Sequence, residues 1–201
     1  MGGNTTETHC TAETESSDEP TVSAPKPVVS AKERSAAPSG GGGFDFGASA
    51  EKAKEVCEGS EQTWTELGKR VYLCSAAPID LGFPAEIIVQ FCQNVVCSST
   101  VVHRPNRAWI KAYRDLKAQL ESKYGASESG PNGLPRDCAV DSALLDCINN
   151  EMANLSYTWK WPTGERISLL LTKDNELGRE PAIRIQYVKP PTAIKVKTDA
   201  L

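Results

Sequence analysis

Apolar and polar positions follow two rhythms along this chain, and both begin only after residue 43. Trp109, Ala112, Tyr113, Leu116 and Leu120 recur every three or four residues. That spacing predicts a helix over 107–124, stopped by Gly125. Ser49 is a good N-cap for a helix over 50–57, built from strong helix formers and ended by Gly59. Leu144, Leu145 and Ile148 suggest a short helix over 139–151. Val, Ile, Tyr and Phe content predicts strands over 63–74, 85–102, 155–161, 166–173 and 182–188, with a short strand at Phe44. Turns are expected at Gln93-Asn94, Pro162-Thr163-Gly164 and Asp174-Asn175. The expected fold class is α+β, an antiparallel sheet with helices on one face, which the duplicated unit described next predicts.

Two stretches repeat. Residues 63–73, with Trp64, Gly68 and Arg70, match 158–169, with Trp159, Gly164 and Arg166, after one inserted residue. Ile87 to Phe91 matches Ile183 to Tyr187, and the interval from Gly68 to Gln90 equals that from Gly164 to Gln186, 22 residues each. A duplicated helix-plus-sheet unit is the expectation, with units over 44–104 and 107–188.

Residues 1–43 contain no Phe, Trp or Tyr. Six acidic residues (Glu7, Glu13, Glu15, Asp18, Glu19, Glu33) face three basic ones (Lys26, Lys32, Arg34), a net −3 of the chain's −4. Such a segment buries too little apolar surface to offset its ordering entropy, so it reads as a disordered acidic tether ending in the flexible run Gly40–Gly43. The globular domain is then 44–190, and 191–201 a flexible tail.

Seven cysteines stand at 10, 57, 74, 92, 97, 138 and 147. Cys10 falls in the tether, which leaves six in the folded part, and sequence alone leaves their connectivity open. Local geometry favours Cys57 with Cys74, Cys92 with Cys97 across the Gln93-Asn94 turn, and Cys138 with Cys147. A zinc site lacks a second pair at knuckle spacing, and Cys-x-x-Cys is absent. Free structural thiols remain the other reading. Disulfides imply an oxidising compartment, the periplasm or outer envelope. No charged and apolar signal segment opens the sequence. Two accounts fit. In one, Met1 stands where the lipidated cysteine of a mature lipoprotein stood, before Gly2. In the other, Met1 to Thr6 is an N-myristoylation pattern.

The run Phe46-Gly47-Ala48-Ser49 before a helix, followed by Trp64 and antiparallel strands, resembles small bacterial outer-envelope lipoprotein modules of the BamE/SmpA type. The tandem form of such a module is similar to the β-lactamase-inhibitor-protein fold. The resemblance covers 44–102 and, by repeat, 155–188. The helix over 107–124 and the loop over 126–137 depart from it. It implies a binding or scaffolding role in the envelope, and no particular site residue.

Candidate chemistry is sparse. The net charge of −4 and pI near 5.3 leave no basic footprint for nucleic acid. No apolar run approaches the roughly 18 residues that span a bilayer, so membrane association would come only through an N-terminal lipid anchor. His103 is the sole histidine of the folded part, without a Gly-x-Ser-x-Gly elbow. Glu165, Glu176, Glu180, Asp141 and Asp146 are the carboxylates a hydrolase could use. Gly40–Gly43 lacks the Lys-Ser/Thr of a phosphate loop, and no cofactor or metal motif is present. Tyr157, Trp159 and Trp161 alternate and share one strand face. Exposed, they would form a binding surface for a protein or cell-wall ligand. Covered by helices, they are core. Arg70, Arg166 and Arg184 lie on strands and suggest a basic strip. The expectation is a non-enzymatic extracytoplasmic binding or scaffolding domain. The alternative is a small extracytoplasmic hydrolase using carboxylates or His103.

Overall fold

A computed structural model describes residues 35–130, 135–138, 140–173 and 181–191. Its elements, in chain order, are β1 (Gly40–Gly41), β2 (Phe44–Asp45), α1 (Ala50–Glu58), β3 (Trp64–Gly68), β4 (Val71–Cys74), β5 (Glu86–Cys92) and β6 (Val95–His103). They continue with α2 (Trp109–Tyr124), α3 (Asp141–Asn149), β7 (Leu155–Lys160), β8 (Arg166–Lys173) and β9 (Pro181–Val188). Strands β3 to β9 form one antiparallel sheet in the order β3-β4-β5-β6-β9-β8-β7, and β1 pairs with β2 in a separate ribbon. The α+β reading holds. Ser49 caps α1 as its position suggested: its hydroxyl accepts the Lys52 N–H at 3.2 Å.

Period-two alternation decides which residues meet the helices. Ile87, Val89 and Phe91 of β5 share a face with Val101 of β6, Ile183 and Ile185 of β9, Ile167, Leu169 and Leu171 of β8, and Leu155 and Trp159 of β7. These side chains form a single core with Ala53 and Cys57 of α1, Ile110, Tyr113, Leu116, Leu120 and Tyr124 of α2, and Leu144 and Ile148 of α3. The opposite face carries a small second cluster, Ile88, Val102 and Ala182, flanked by Val71 and Leu73. Among the described elements, no helix covers that face.

The single strand expected over 63–74 is instead a hairpin. Lys69 and Arg70 reverse the chain, Arg70 takes a left-handed φ of 64°, and the Phe91 N–H donates to the Arg70 carbonyl at 2.9 Å. Alternation hid the break, because Leu67 keeps the apolar rhythm while lying 40 % exposed at the tip.

The glycine run also departs from its expected role. The part of the acidic segment over 1–34 lies outside the described residues, as does the tail beyond 191, but residues 35–43 belong to the fold. Pro38 and Gly42 are buried, and Phe44 is 2 % exposed. Gly40–Gly41 pairs antiparallel with Phe44–Asp45, and the chain continues onto β6, where the Gly47 N–H donates to Val96 O and the Val96 N–H to Ala48 O. A side chain at Gly41 would enter the Tyr187 ring. One at Gly42, whose φ is +61°, would stand 2.8 Å from Ile87 Cδ1, and one at Gly43, φ +94°, 2.6 Å from Pro78 Cγ. Composition alone reads four glycines as a tether. Here the missing Cβ atoms let the backbone lie directly on the core.

The internal echo falls on matching strands, β3/β4/β5 and β7/β8/β9, yet superposing these turns the helix-bearing face over. Both β5 and β9 run antiparallel to β6 and therefore parallel to each other, while their neighbours β4 and β8 lie on opposite sides. The rotation that preserves strand direction and helix-bearing face is a twofold normal to the sheet between β6 and β9. It relates β4 to β7, β5 to β8 and β6 to β9, one strand out of step with the echo.

Three disulfides close the fold, Cys57–Cys74, Cys92–Cys97 and Cys138–Cys147, with Cα separations of 5.8, 5.6 and 5.9 Å. The first ties α1 to β4. The second spans the β5–β6 tip, where Gln93 and Asn94 both adopt positive φ and Cys97 is the extra residue of a bulge. The third holds a short turn, Arg136–Cys138, against α3. Such pairing is that of a non-reducing, extracytoplasmic environment. Among the described residues, no helix is long and apolar enough to cross a membrane.

Candidate binding surface

The β7–β8 connection is a tight hairpin built by its sequence. Pro162 has the fixed φ suited to the first corner of the turn. The Gly164 N–H donates to Trp161 O at 2.9 Å, and Gly164 takes φ +96°, the left-handed position that closes a three-residue loop. The Trp161 N–H then donates to Glu165 O at 3.0 Å, resuming the ladder. Glu165 turns inward and is 5 % exposed. Its carboxylate accepts a hydrogen bond from the Thr163 hydroxyl and pairs with Lys189 Nζ at 3.1 Å. Burial pushes its pKa up, but the Thr163 hydroxyl, its own backbone N–H and Lys189 outweigh burial and hold the carboxyl below its ordinary range.

Strand direction gathers all three hairpin tips at one end of the sheet. Val71 pairs with Gln90, Gln90 with Ser98, Ser98 with Val188 and Val188 with Arg166. The Lys69-Arg70, Gln93-Asn94 and Pro162–Gly164 turns therefore lie beyond the same row. The chain leaves β9 there too, and the Lys189 N–H donates to Cys97 O at 2.9 Å. Lys69, Arg70, Lys160 and Arg166 are exposed at this end, and Lys189 is bound to the buried Glu165. The expected strip of Arg70, Arg166 and Arg184 is thus split. Arg70 and Arg166 reach the tips, whereas Arg184 lies midway along β9, opposite Leu170 and Val102. Lys160 and Lys189 were not singled out from sequence. The signal was present: Lys160 and Arg166 bracket the turn at mirrored positions.

Lys160 pairs directly with Arg166 across β7 and β8. Like charges at directly opposed positions are unfavourable. Beside them a cleft of about 340 Å³ is walled by Trp161, Gly164, Val188 and Pro190.

The stripe of Tyr157, Trp159 and Trp161 is not a surface. Trp159 is wholly buried and donates its indole N–H to Gly125 O at 2.8 Å. Trp161 is 8 % exposed, packs edge-on to Tyr124 at 5.5 Å and donates to Ser35 O at 3.0 Å. Tyr157 lies against Tyr113 of α2, with Lys117 Nζ 4.8 Å from its ring. The alternation is the half-buried strand pattern, its apolar side under helices.

His103 is 8 % exposed, its Nδ1–H donates to Pro84 O at 2.8 Å, and its ring packs on Phe83 at 4.7 Å. These contacts fix the tautomer and use the ring as a strut at the opposite end of β6. Asp146 is exposed on α3, while Glu176 and Glu180, and the side chain of Asp141, lie outside the described residues. Among the described residues no three His, Cys, Asp or Glu side chains are placed to hold a metal. Comparison with family models, with characterised proteins and with solved structures finds no match.

Proposed function

We propose that the chain is an extracytoplasmic binding domain that holds a negatively charged envelope partner against the hairpin-tip end of its sheet. The observation that carries this reading is the convergence of Lys69, Arg70, Lys160 and Arg166, beside the mutually neutralised Lys189–Glu165 pair, on one end of a chain whose net charge is −4. A local field opposite to the global one steers and orients a partner of complementary charge. The disulfides suit the envelope, and a lipid anchor ahead of Gly2 would deliver the domain there. Such delivery accords with the BamE-like resemblance, and the twofold arrangement of helix and meander supports the tandem form of it.

The test is co-sedimentation of the disulfide-intact chain with isolated bacterial envelopes across ionic strength. Binding should fall as salt screens the charges, and the charge-reversed variant Lys69→Glu/Arg70→Glu should lose it. Salt-insensitive binding, or binding unchanged in that variant, overturns the reading.

A further inference from the structure

We infer that the free edge of β3 is a self-pairing surface, on which a second copy of this chain lays its own β3 antiparallel and extends the sheet. The two edges of the sheet are finished differently. On β7 the Thr158 N–H donates to Ser129 O at 3.3 Å and the Thr158 carbonyl accepts the Glu128 N–H at 2.8 Å, so the chain caps this edge itself. On β3 no described residue pairs with the outer side. The Thr63 carbonyl accepts the Ser75 N–H at 3.0 Å, and the Thr63 N–H donates to Ser75 Oγ at 2.9 Å, so both groups of Thr63 point inward. Backbone groups alternate in direction along a strand, so Thr65 also points to β4, while Trp64 and Glu66 turn their N–H and C=O outward. Thr65, Glu66 and Leu67 are exposed, and the strand holds no proline to blunt it.

The edge fits a second copy in both register and charge. Two identical antiparallel strands are related by a twofold normal to the sheet, which keeps both helix-bearing faces on one side and closes the assembly at two chains. Opposed side chains must share a face, so the axis passes through a residue rather than between two. Centred on Thr65, the pairing sets Trp64 of each copy against Glu66 of the other, and every outward group finds a partner. The exposed Thr65 side chains then meet on the axis, a favourable pair. Centred on Glu66, it would oppose two carboxylates. Centred on Trp64, it would set Glu66 against Gln62, whose N–H is already given to Cys57 O. Charge selects the same register. Glu61 precedes the strand and Lys69 follows it, each four residues from Thr65. Both are exposed, and neither joins an ion pair among the described residues. Antiparallel pairing about Thr65 brings Glu61 of each copy to Lys69 of the other. The bulge between Glu66 and Gly68 ends the ladder, so the contact is small and reversible.

The experiment is sedimentation equilibrium of the disulfide-intact full chain across concentration. A reversible monomer–dimer equilibrium is expected, with no larger species. Thr65→Lys changes an exposed side chain and sets two ammonium groups face to face on the axis, which should weaken dimerisation about fivefold. Glu66→Pro removes an N–H that β4 does not use, so the hairpin is retained, and it should weaken dimerisation more than about tenfold through two lost ladder bonds. Glu61→Lys and Lys69→Glu should each impair self-association. An equimolar mixture of the two should restore it, because opposite charges then meet at both ends of the paired strands. A chain that stays monomeric at millimolar concentration overturns the inference. So does a dimer indifferent to Thr65→Lys and Glu66→Pro, or a mixture that associates no better than either variant alone.

Discussion

The β5–β6 and β7–β8 tips stand at the same end of one sheet and are secured in different ways. The first uses Gln93 and Asn94 in left-handed backbone and is closed by Cys92–Cys97. The second uses Pro162 and Gly164, residues suited to their corners, and is held by a buried carboxylate bonded to Thr163 and Lys189. The covalent staple closes a turn in which Gln93 is poorly suited to positive φ, while Asn94 tolerates it. The second tip, which has no staple, has glycine at its positive-φ corner and a satisfied polar pin. The difference teaches where variation is allowed. Substitutions in the turn are expected to cost less at the stapled tip than at the pinned tip, which bears Lys160 opposite Arg166.

The comparison breaks most severely at the pin. Glu165→Ala leaves Lys189 unpaired and Thr163 without its acceptor, and should cost about 3 kcal/mol in urea unfolding. The folded carboxyl sits below its ordinary value, so its stabilisation is complete above the ordinary carboxylate range. It is lost as pH falls through the folded pKa. Glu165→Gln should therefore flatten the acid limb of the stability–pH curve, and an unchanged limb would assign that limb to other groups. The staple comes next. Cys92→Ser/Cys97→Ser opens a short loop and should cost about 2 kcal/mol, less than the roughly 3 kcal/mol for Cys57→Ser/Cys74→Ser, by loop-closure entropy. A larger loss at the short loop would mean that the tip depends on its staple beyond entropy. Gly164→Ala forces a Cβ into positive φ and should cost about 1 kcal/mol. The smallest effect has the opposite sign. Gln93→Asn/Asn94→Gly installs residues that prefer positive φ and should raise stability by about 0.5 kcal/mol in thermal unfolding.

Much of this architecture could be read from local sequence. The helices over 50–58 and 109–124 and the last three strands lie within two residues of their predicted limits, because each is set by its own periodicity and stop residue. The disulfides were legible for the same reason: each pair is joined by a short segment whose turn or helix brings its ends together. What escaped depends on distant partners. Leu67 looks like a strand interior until its tip is known to be in water. Gly41 looks like a linker until Tyr187 is known to lie beneath it. The echo between Gly68 and Gly164 records like hairpin chemistry, and strand order, which no local window contains, shows that it is not the register of the twofold. The candidate site shares that limit. The cleft needs β7, β8 and the chain after β9 together, although Lys160 and Arg166 bracket their turn visibly.

The glycine ribbon has a mechanical consequence. Residues 35–49 run from Trp161 across the core to the start of β6, so tension on the preceding segment enters the sheet at Ser35 rather than at α1. Its two residue pairs, Gly40 with Asp45 and Gly41 with Phe44, are internal to the ribbon, and the backbone bonds of Gly47 and Ala48 to Val96 tie it to β6. Under load it would peel away first, baring Tyr187 and Ile87, while the disulfides keep the load from running through the loops they close.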